Sequence, residues 1–389
     1  MMSRKGIAMA CAGLVVNAAS VANAAGANVM DFGAKGDGVT DDTSAIQKAI
    51  DFTAERGGGR IFFPYTKTGY RIAAPGVETV GGKPCRGQLH IPANRALNIA
   101  LEGEMPCKLL YSYQVRPRDP NSKFKPTTFG SMTPANTHLF STWSPPEERD
   151  PEARPWAILA TVEGNSGAAG KFGVGQVSIM NLEFRVHLDK EKMYPTGSAC
   201  NLQNASRVNI QDSQFCLDEM VGDTELGKEL QPNPCHAVGL MSSGDQNDNQ
   251  VLRNVAVQGF RYGFVLGEHI AADYLYVHNC EEAIVFHDAT HLSTIGHVVA
   301  QHNQRVLTTT RVNLFGHRKG VCNVIIGGID YENGAGTLPA VSRMEHGVYD
   351  PENRFRGSVV HHLGYPGDGR SDFRVEGAKD LRIRRLGEE

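Results

Sequence analysis

The 389-residue sequence predicts an all-β fold, a solenoid of stacked coils with a helix covering its N-terminal end. Two observations point there. Short apolar strands recur at a spacing of roughly 20 to 30 residues with no helical pattern between them, which is the period range of solenoids. Near the N-terminus, one amphipathic helix follows a glycine-rich turn region and precedes a short aromatic strand.

Set under one another, the first strands of successive coils read Val238–Met241, Tyr262–Leu266, Glu282–Phe286, Arg305–Leu307 and His346–Tyr349. Each coil then carries a second strand ending in Asn or a tight turn: Val255–Gly259, Leu275–Asn279, Val298–Asn303 and Ile329–Asn333. Val177–Phe184 and Arg207–Phe215 repeat the theme upstream, and Asp380–Leu386 closes it. Equivalent residues on adjacent coils should stack at the strand spacing, about 4.8 Å, so distances follow from alignment. Asn279, Asn303 and Asn333 fall after the second strand, where Asn tolerates left-handed geometry and bonds along the ladder.

The N-terminal helix is signalled residue by residue. Gly33, Gly36 and Gly38 allow positive-φ turns, and Thr40, Asp41 and Asp42 supply acceptors for the free N–H groups of a helix start. Ala45, Ile46, Ala49, Ile50 and Thr53 share one face, while Gln47, Lys48, Asp51 and Glu55 share the other. Gly57, Gly58 and Gly59 end the helix, and Arg60–Pro64 reads as a strand. Such a helix would cover a sheet end that is otherwise open to pairing. Asp37, Asp41 and Asp42 also invite a metal site, but their positions favour turn and cap roles.

Residues 28–64, with Tyr70–Ile72, resemble the N-terminal signature of the pectate-lyase-like superfamily, which includes polygalacturonases, alginate epimerases, exo-glucanases and phage tailspike depolymerases. The resemblance implies a right-handed, single-stranded parallel β-helix and a carbohydrate polymer as ligand. Within the superfamily this segment builds the end of the solenoid rather than the active site. Reaction motifs are missing: the polygalacturonase set of Asn-Thr-Asp, Asp-Asp, Gly-His-Gly and Arg-Ile-Lys is absent, since no Asp-Asp occurs after residue 42 and Gly316-His317-Arg318 is only a fragment. The Asp-Pro-His motif of alginate epimerases is absent as well.

Residues 1–24 read as a signal peptide: Arg4 and Lys5 precede an apolar run, and Ala22-Asn23-Ala24 fits the small-x-small cleavage pattern. The mature chain is expected to begin near Ala25 and to be secreted or periplasmic. No other apolar run approaches the roughly 18 residues needed to span a bilayer. Residues 25–389 are expected to form a single β-helix domain: cap and first coils over 25–75, a loop insertion over 104–156 and regular coils over 170–389. The whole sequence holds 39 basic and 42 acidic side chains, and the signal segment removes basic ones only. An acidic balance gives no reason to expect nucleic acid as a partner. Cys85, Cys107, Cys200, Cys216, Cys235, Cys280 and Cys322 remain after cleavage, an odd number, so at least one thiol is unpaired. Nothing in their spacing resembles a metal site.

Candidate site residues come from the stacking rule. Five residues beyond the aligned Gly239, Gly263 and Ala283 lie Gly244, Glu268 and Asp288, with Asp245 beside the first. Carboxylates on adjacent coils would stand about 5 Å apart and those two coils apart about 10 Å, spacings that suit retaining and inverting glycosidases respectively. His269 and His287 adjoin this row. Asp218 and Asp223 lie in a longer connection of the kind that walls a groove. Gln258, His278, His302 and Glu332 form a second polar row that lines a groove or faces solvent. In the 104–156 insertion, Trp143 and Trp156 either stack on sugars or form the loop's own core.

The first reading is therefore a secreted polysaccharide-degrading glycoside hydrolase, with catalytic carboxylates drawn from Glu268, Asp288, Asp245, Asp218 and Asp223. Its substrate-binding residues are drawn from His287, His269, His302, Glu332, Trp143 and Trp156. It needs no metal or other cofactor. One alternative is a polysaccharide lyase acting by β-elimination on a uronate polymer, the case in which a divalent cation such as Ca²⁺ enters. Another is a non-catalytic polysaccharide-binding scaffold or adhesin. The expected assembly is a monomer or a homotrimer.

Overall fold

Among the described residues the strands form two sheets, one of 15 and one of 10 strands, parallel throughout except for the antiparallel pair Val77–Val80 with Lys83–Ile91. The computed structural model describes residues 26–107, 136–164, 173–189, 191–217, 232–242, 249–286, 290–301, 303–309, 321–332, 346–349, 355–356, 358–364, 375–376 and 381–385. Residues 1–25 lie outside this set.

The first-strand alignment holds across five coils: Val238 pairs with Tyr262, Tyr262 with Glu282, Glu282 with Arg305 and Arg305 with His346. The second-strand alignment holds too, with Val255, Leu275, Val298 and Ile329 in successive register. Such agreement follows from the pleat, because a slip of one residue would turn every core side chain outward. Phe264, fully buried, pairs with Leu240 on one side and Ile284 on the other. Each such side chain contributes about 1.5–3 kcal/mol through burial.

Two strands per coil proved to be one too few. The second strand is the distal part of a longer one: Asn249–Gln258, Ile270–His278, His291–Gln301 and Val321–Glu332. Left-handed residues turn the chain in mid-strand at Asn181 (φ 59°), Asp212 (φ 46°) and Asn254 (φ 53°), on consecutive coils. Asn254 Nδ2 donates to Asp212 Oδ1 at 2.7 Å, so the turn carries its own polar ladder. Each coil therefore has three strand columns: a first before this corner, a second after it, and a third in the 10-stranded sheet.

The capping helix is Thr43–Glu55, with Ile46, Ala49 and Ile50 fully buried. Asp41 Oδ1 accepts from the N–H of Thr43 at 3.1 Å and of Ala73 at 3.0 Å. The Asp42 carboxylate turns back instead, accepting from the N–H of Lys35 at 2.6 Å and Gly36 at 3.0 Å. Asp37 accepts from Val39 and Thr40. All three carboxylates are thus engaged in turn and cap geometry. Within the 104–156 region, His138–Ser141 is not loop but a rung of the large sheet, pairing with Tyr70–Ile72 and Glu183–Val186. Cys85, Cys107, Cys200, Cys216, Cys235 and Cys280 are free and buried.

Candidate active-site face

Alternation along the second column sends every other side chain away from the core. In Ile270–His278, Leu275 and Val277 enter the core, so Tyr276 and His278 face out. Register then builds two outward rows. One runs His138, Glu183, Gln214, Ala256, Tyr276, Val299 and Asp330. The other passes from Phe140 to Arg185 and Cys216, and further along from Gln258 to His278 and Gln301. This face is polar and aromatic over most of its length.

Its first rungs are out of water although they point away from the core. Glu183 has no exposed surface, and His138, Gln214, Gln258 and His278 are buried. Arg185 Nε donates to Glu183 Oε1 at 2.7 Å, Asn136 Nδ2 to Oε2 at 2.8 Å, and Cys216 Sγ to Oε1 at 3.3 Å. Burial alone would raise the Glu183 carboxyl, but the charge and hydrogen bond of Arg185, with help from His138 and Asn136, hold it below 4.5. Burial pushes the His138 imidazole down, and the Arg185 charge adds to the effect. A carboxylate so enclosed holds charge in place; it is not placed to give a proton to a ligand.

Further along, the face opens at the corner between the first and second columns. Tyr274 pairs with His297, and their rings stack at 5.8 Å with 15° between planes. His297 Nε2 lies 3.1 Å from Asp330 Oδ2, with side chains 38% and 63% exposed. Tyr276 donates its hydroxyl to Gln301 Oε1 at 2.7 Å. Neither Tyr274 nor the His297–Asp330 pair was singled out from sequence. Their signal, Tyr and His one coil apart at the corner, became readable only once the corner was known.

Among the described residues, those proposed from sequence do not converge. Asp218, Asp223, Asp245, His287, Asp288 and His302 lie outside the described residues. Glu268 is buried, and with His269 (φ 52°) it follows Tyr262–Leu266 on a different edge, where the third column returns to the first. Gln250 binds this turn, donating from Nε2 to the Glu268 carbonyl at 3.1 Å and from N–H to the His269 carbonyl at 3.2 Å.

The polar row needs one correction: Gln301, not His302, stands opposite both His278 and Glu332. The core pairing of Val277 with Ala300 sets the register, and one extra residue then precedes Asn303. Asn303 still plays its expected ladder role, with Oδ1 accepting from Cys280 N–H at 2.8 Å and Nδ2 donating to the Val277 carbonyl at 3.0 Å. Asn279 is left-handed, at φ 52°. Trp143 and Trp156 pack edge-to-face at 5.3 Å in the connection leading to Ala157–Thr161, with the Arg86 guanidinium over Trp156. Their mutual contact is that of a small loop core.

Residues 26–75 match the family model described as rhamnogalacturonase A/epimerase, pectate lyase-like. Over this N-terminal segment the chain is similar to the pectate-lyase-like family. The chain is 43% identical over 83 residues to alginate lyase 7 of Azotobacter vinelandii, a match spanning 21% of the chain and 9% of that protein. It is 51% identical over 49 residues to the mannuronan C5-epimerase AlgE4 of the same organism, 13% of the chain and 8% of that protein. The matched stretch is thus less than a tenth of these relatives' length. Among solved structures, a tailspike protein of E. coli bacteriophage HK620, in complex with a hexasaccharide, aligns over 95% of the chain and 66% of its own at 11% identity and a TM-score of 0.39. The AlgE6 epimerase A-module of A. vinelandii aligns over 93% of the chain and 100% of its own at 15% identity and a TM-score of 0.27. No helix among the described residues is long and apolar enough to cross a membrane.

Proposed function

We propose that this chain is a polysaccharide-acting enzyme that holds its polymer where the outward face of the second strand column opens, at the corner of Tyr274 and His297. The observation that carries the reading is the open corner of that face, where Tyr274 stacks on His297 and Asp330 bonds to it beyond rungs that are buried. Aromatic faces and amide or hydroxyl groups in register suit a chain of sugar rings. The family match and relatives named as an alginate lyase and mannuronan epimerases support a carbohydrate polymer as ligand.

Two chemistries belong to this proposal. Hydrolysis would use two carboxylates: Glu268 together with Asp245 or Asp288, or else Asp218 with Asp223. Elimination would use a base, a proton donor and a cation beside a uronate carboxylate. Of the two, elimination has the better support among the described residues, because Tyr274, His297 and Asp330 stand together on an open part of the face. Export through a signal peptide over residues 1–24 is part of the same reading, and N-terminal sequencing of the mature protein should begin near Ala25.

Incubation with a panel of neutral and uronate polysaccharides tests the proposal. Enzymatic cleavage gives new reducing ends, and unsaturated ends absorbing in the ultraviolet mark elimination. Binding without new ends would select the scaffold or adhesin alternative and overturn an enzymatic role.

A further inference from the structure

We propose that Trp143 and Trp156, with the Arg86 guanidinium, form a second carbohydrate site beside the third strand column, which binds pyranose rings by their faces and takes no part in chemistry. It is separate from the corner of Tyr274 and His297.

Both indoles stand at strand ends. Trp143 follows His138–Ser141 after one residue, and its backbone N–H donates to Ser141 Oγ at 3.1 Å. Trp156 immediately precedes Ala157–Thr161, and its carbonyl accepts from the Ser198 N–H at 2.7 Å. Side chains carried on strands hold a ligand more firmly than side chains on a loop. Gly76 is the floor beneath them. A Cβ there would come within 2.8 Å of Trp143 Cζ3 and 3.1 Å of Trp156 Cε3, so a bare backbone is what seats both rings.

The shared contact of the two rings is loop core, but the pair is not sealed. Their planes stand 84° apart, so each ring covers only part of the other, and both residues are half-buried. Among the described residues no group accepts from either indole N–H, and neither nitrogen is among the polar atoms shut off from solvent. An apolar ring with a wet donor suits a ligand that is itself half apolar. A pyranose is one, with C–H bonds on its face and hydroxyls on its rim.

Charge at the site is already engaged. Arg86 Nη1 donates to Glu148 Oε2 at 2.7 Å and to the Arg154 carbonyl at 2.9 Å, while the guanidinium carbon lies 5.5 Å from the Trp156 ring centre. Arg154 pairs in turn with Glu163 at 3.1 Å. With both guanidinium groups held by carboxylates, the site reads ring faces and hydroxyls rather than ligand charge. Size separates a sugar from a protein partner. Two indoles offer at most about 150–250 Å² each, well short of the roughly 800 Å² per partner of a stable protein interface.

Register sets the spacing between the two sites. The ladder passes from Ala157–Thr161 through Ser198–Asn201 and Val238–Met241 to Tyr262–Leu266. Those rung steps amount to roughly 15 Å along the axis, and Tyr274 lies on the strand after Tyr262–Leu266. A polymer engaged at the indoles is therefore kept at high local concentration near the corner. That consequence rests on the reading that the corner holds the polymer; the sugar site itself does not.

The chain has two Trp residues, so its intrinsic Trp fluorescence reports this site alone. Titration of the full-length protein with cellohexaose, mannohexaose and hexamannuronate is expected to give, for at least one, a saturable emission shift and protection from acrylamide, little changed by added salt. Trp143→Phe and Trp156→Phe keep aromatic packing and should each weaken binding about 5-fold through the lost indole donor, read from the Trp that remains. His297→Gln should leave the titration unchanged. On a polymer that the protein cuts, either Phe variant should raise KM with kcat held. No emission shift or protection with any hexamer overturns the inference, as does a titration lost in His297→Gln or a KM held in both Phe variants. An emission shift that follows protein concentration rather than saccharide assigns the rings to a protein contact and also overturns it. If no polymer is cut, the enzymatic reading fails, while a saturable titration still supports this site.

Discussion

Arg185 Nε donates to Glu183 Oε1 at 2.7 Å between two residues of one strand, on the outward side of the sheet, with Glu183 wholly out of water. Such a pair is destabilising to break, because removing one partner leaves the other charge buried and uncompensated. Glu183→Ala is therefore expected to cost about 3–5 kcal/mol in urea unfolding, while the paired replacement of Glu183 and Arg185 by apolar residues costs much less. The Glu183 carboxyl is held below 4.5, so its contribution is present above that pH and is lost as acid passes through the lower folded value. A stability advantage of the wild type over its Glu183→Gln variant that does not shrink under acid contradicts this.

His236 behaves as a second acid-sensitive group. Its ring is buried against Tyr262, and both ring nitrogens lack hydrogen-bond partners. Burial, with the Arg261 charge adding to it and Asp150 opposing, pushes the imidazole from 6.5 down to about 3. The neutral ring stabilises the fold above 6.5, and that stability is lost as pH falls toward about 3. The loss is on the order of 5 kcal/mol. His236→Phe should flatten this part of the stability–pH curve, measured as denaturant midpoint against pH.

At the mid-strand corner, Asn254 combines φ 53° with a hydrogen bond to Asp212. A β-branched residue there meets the steric cost of left-handed geometry, about 1–2 kcal/mol. Asn254→Val should therefore lower the melting temperature clearly, whereas Asn254→Gly keeps the backbone and loses less. Equal effects from the two substitutions would show that the side-chain ladder, rather than the backbone, sets the corner.

The six described thiols should be inert in the native protein. Burial raises Cys85 to about 11 and Cys280 to about 12, and pushes Cys107, Cys200 and Cys216 well above 9.0. A thiol-reactive dye is expected to label these positions slowly until denaturant is added. Fast native labelling at Cys216 would mean that the outward face opens to solvent on that timescale.

Core periodicity was the part of this molecule that sequence made readable. Val255, Leu275, Val298 and Ile329 align because an apolar residue at each rung is the condition for a shared interior. The left-handed corner at Asn181, Asp212 and Asn254 was hidden, because a polar residue inside a strand pattern looks like any outward position. Missing it removed one column from every coil and concealed the ridge of Tyr274 and His297. His302 was placed by its neighbour Asn303 rather than by the strand, whose register sets Gln301 opposite His278 and Glu332. Spacing alone aligned Glu268 with a carboxylate row but could not say that its edge differs from that of His278 and Gln301.

A crystal structure of the His297→Gln variant with a bound oligosaccharide tests the central claim most directly. The predicted result is sugar density along the second-column face, against Tyr274 and reaching Gln301. Density seated instead at the turn of Glu268 and His269 would contradict the assignment of this face and return the site to the strand-end carboxylates.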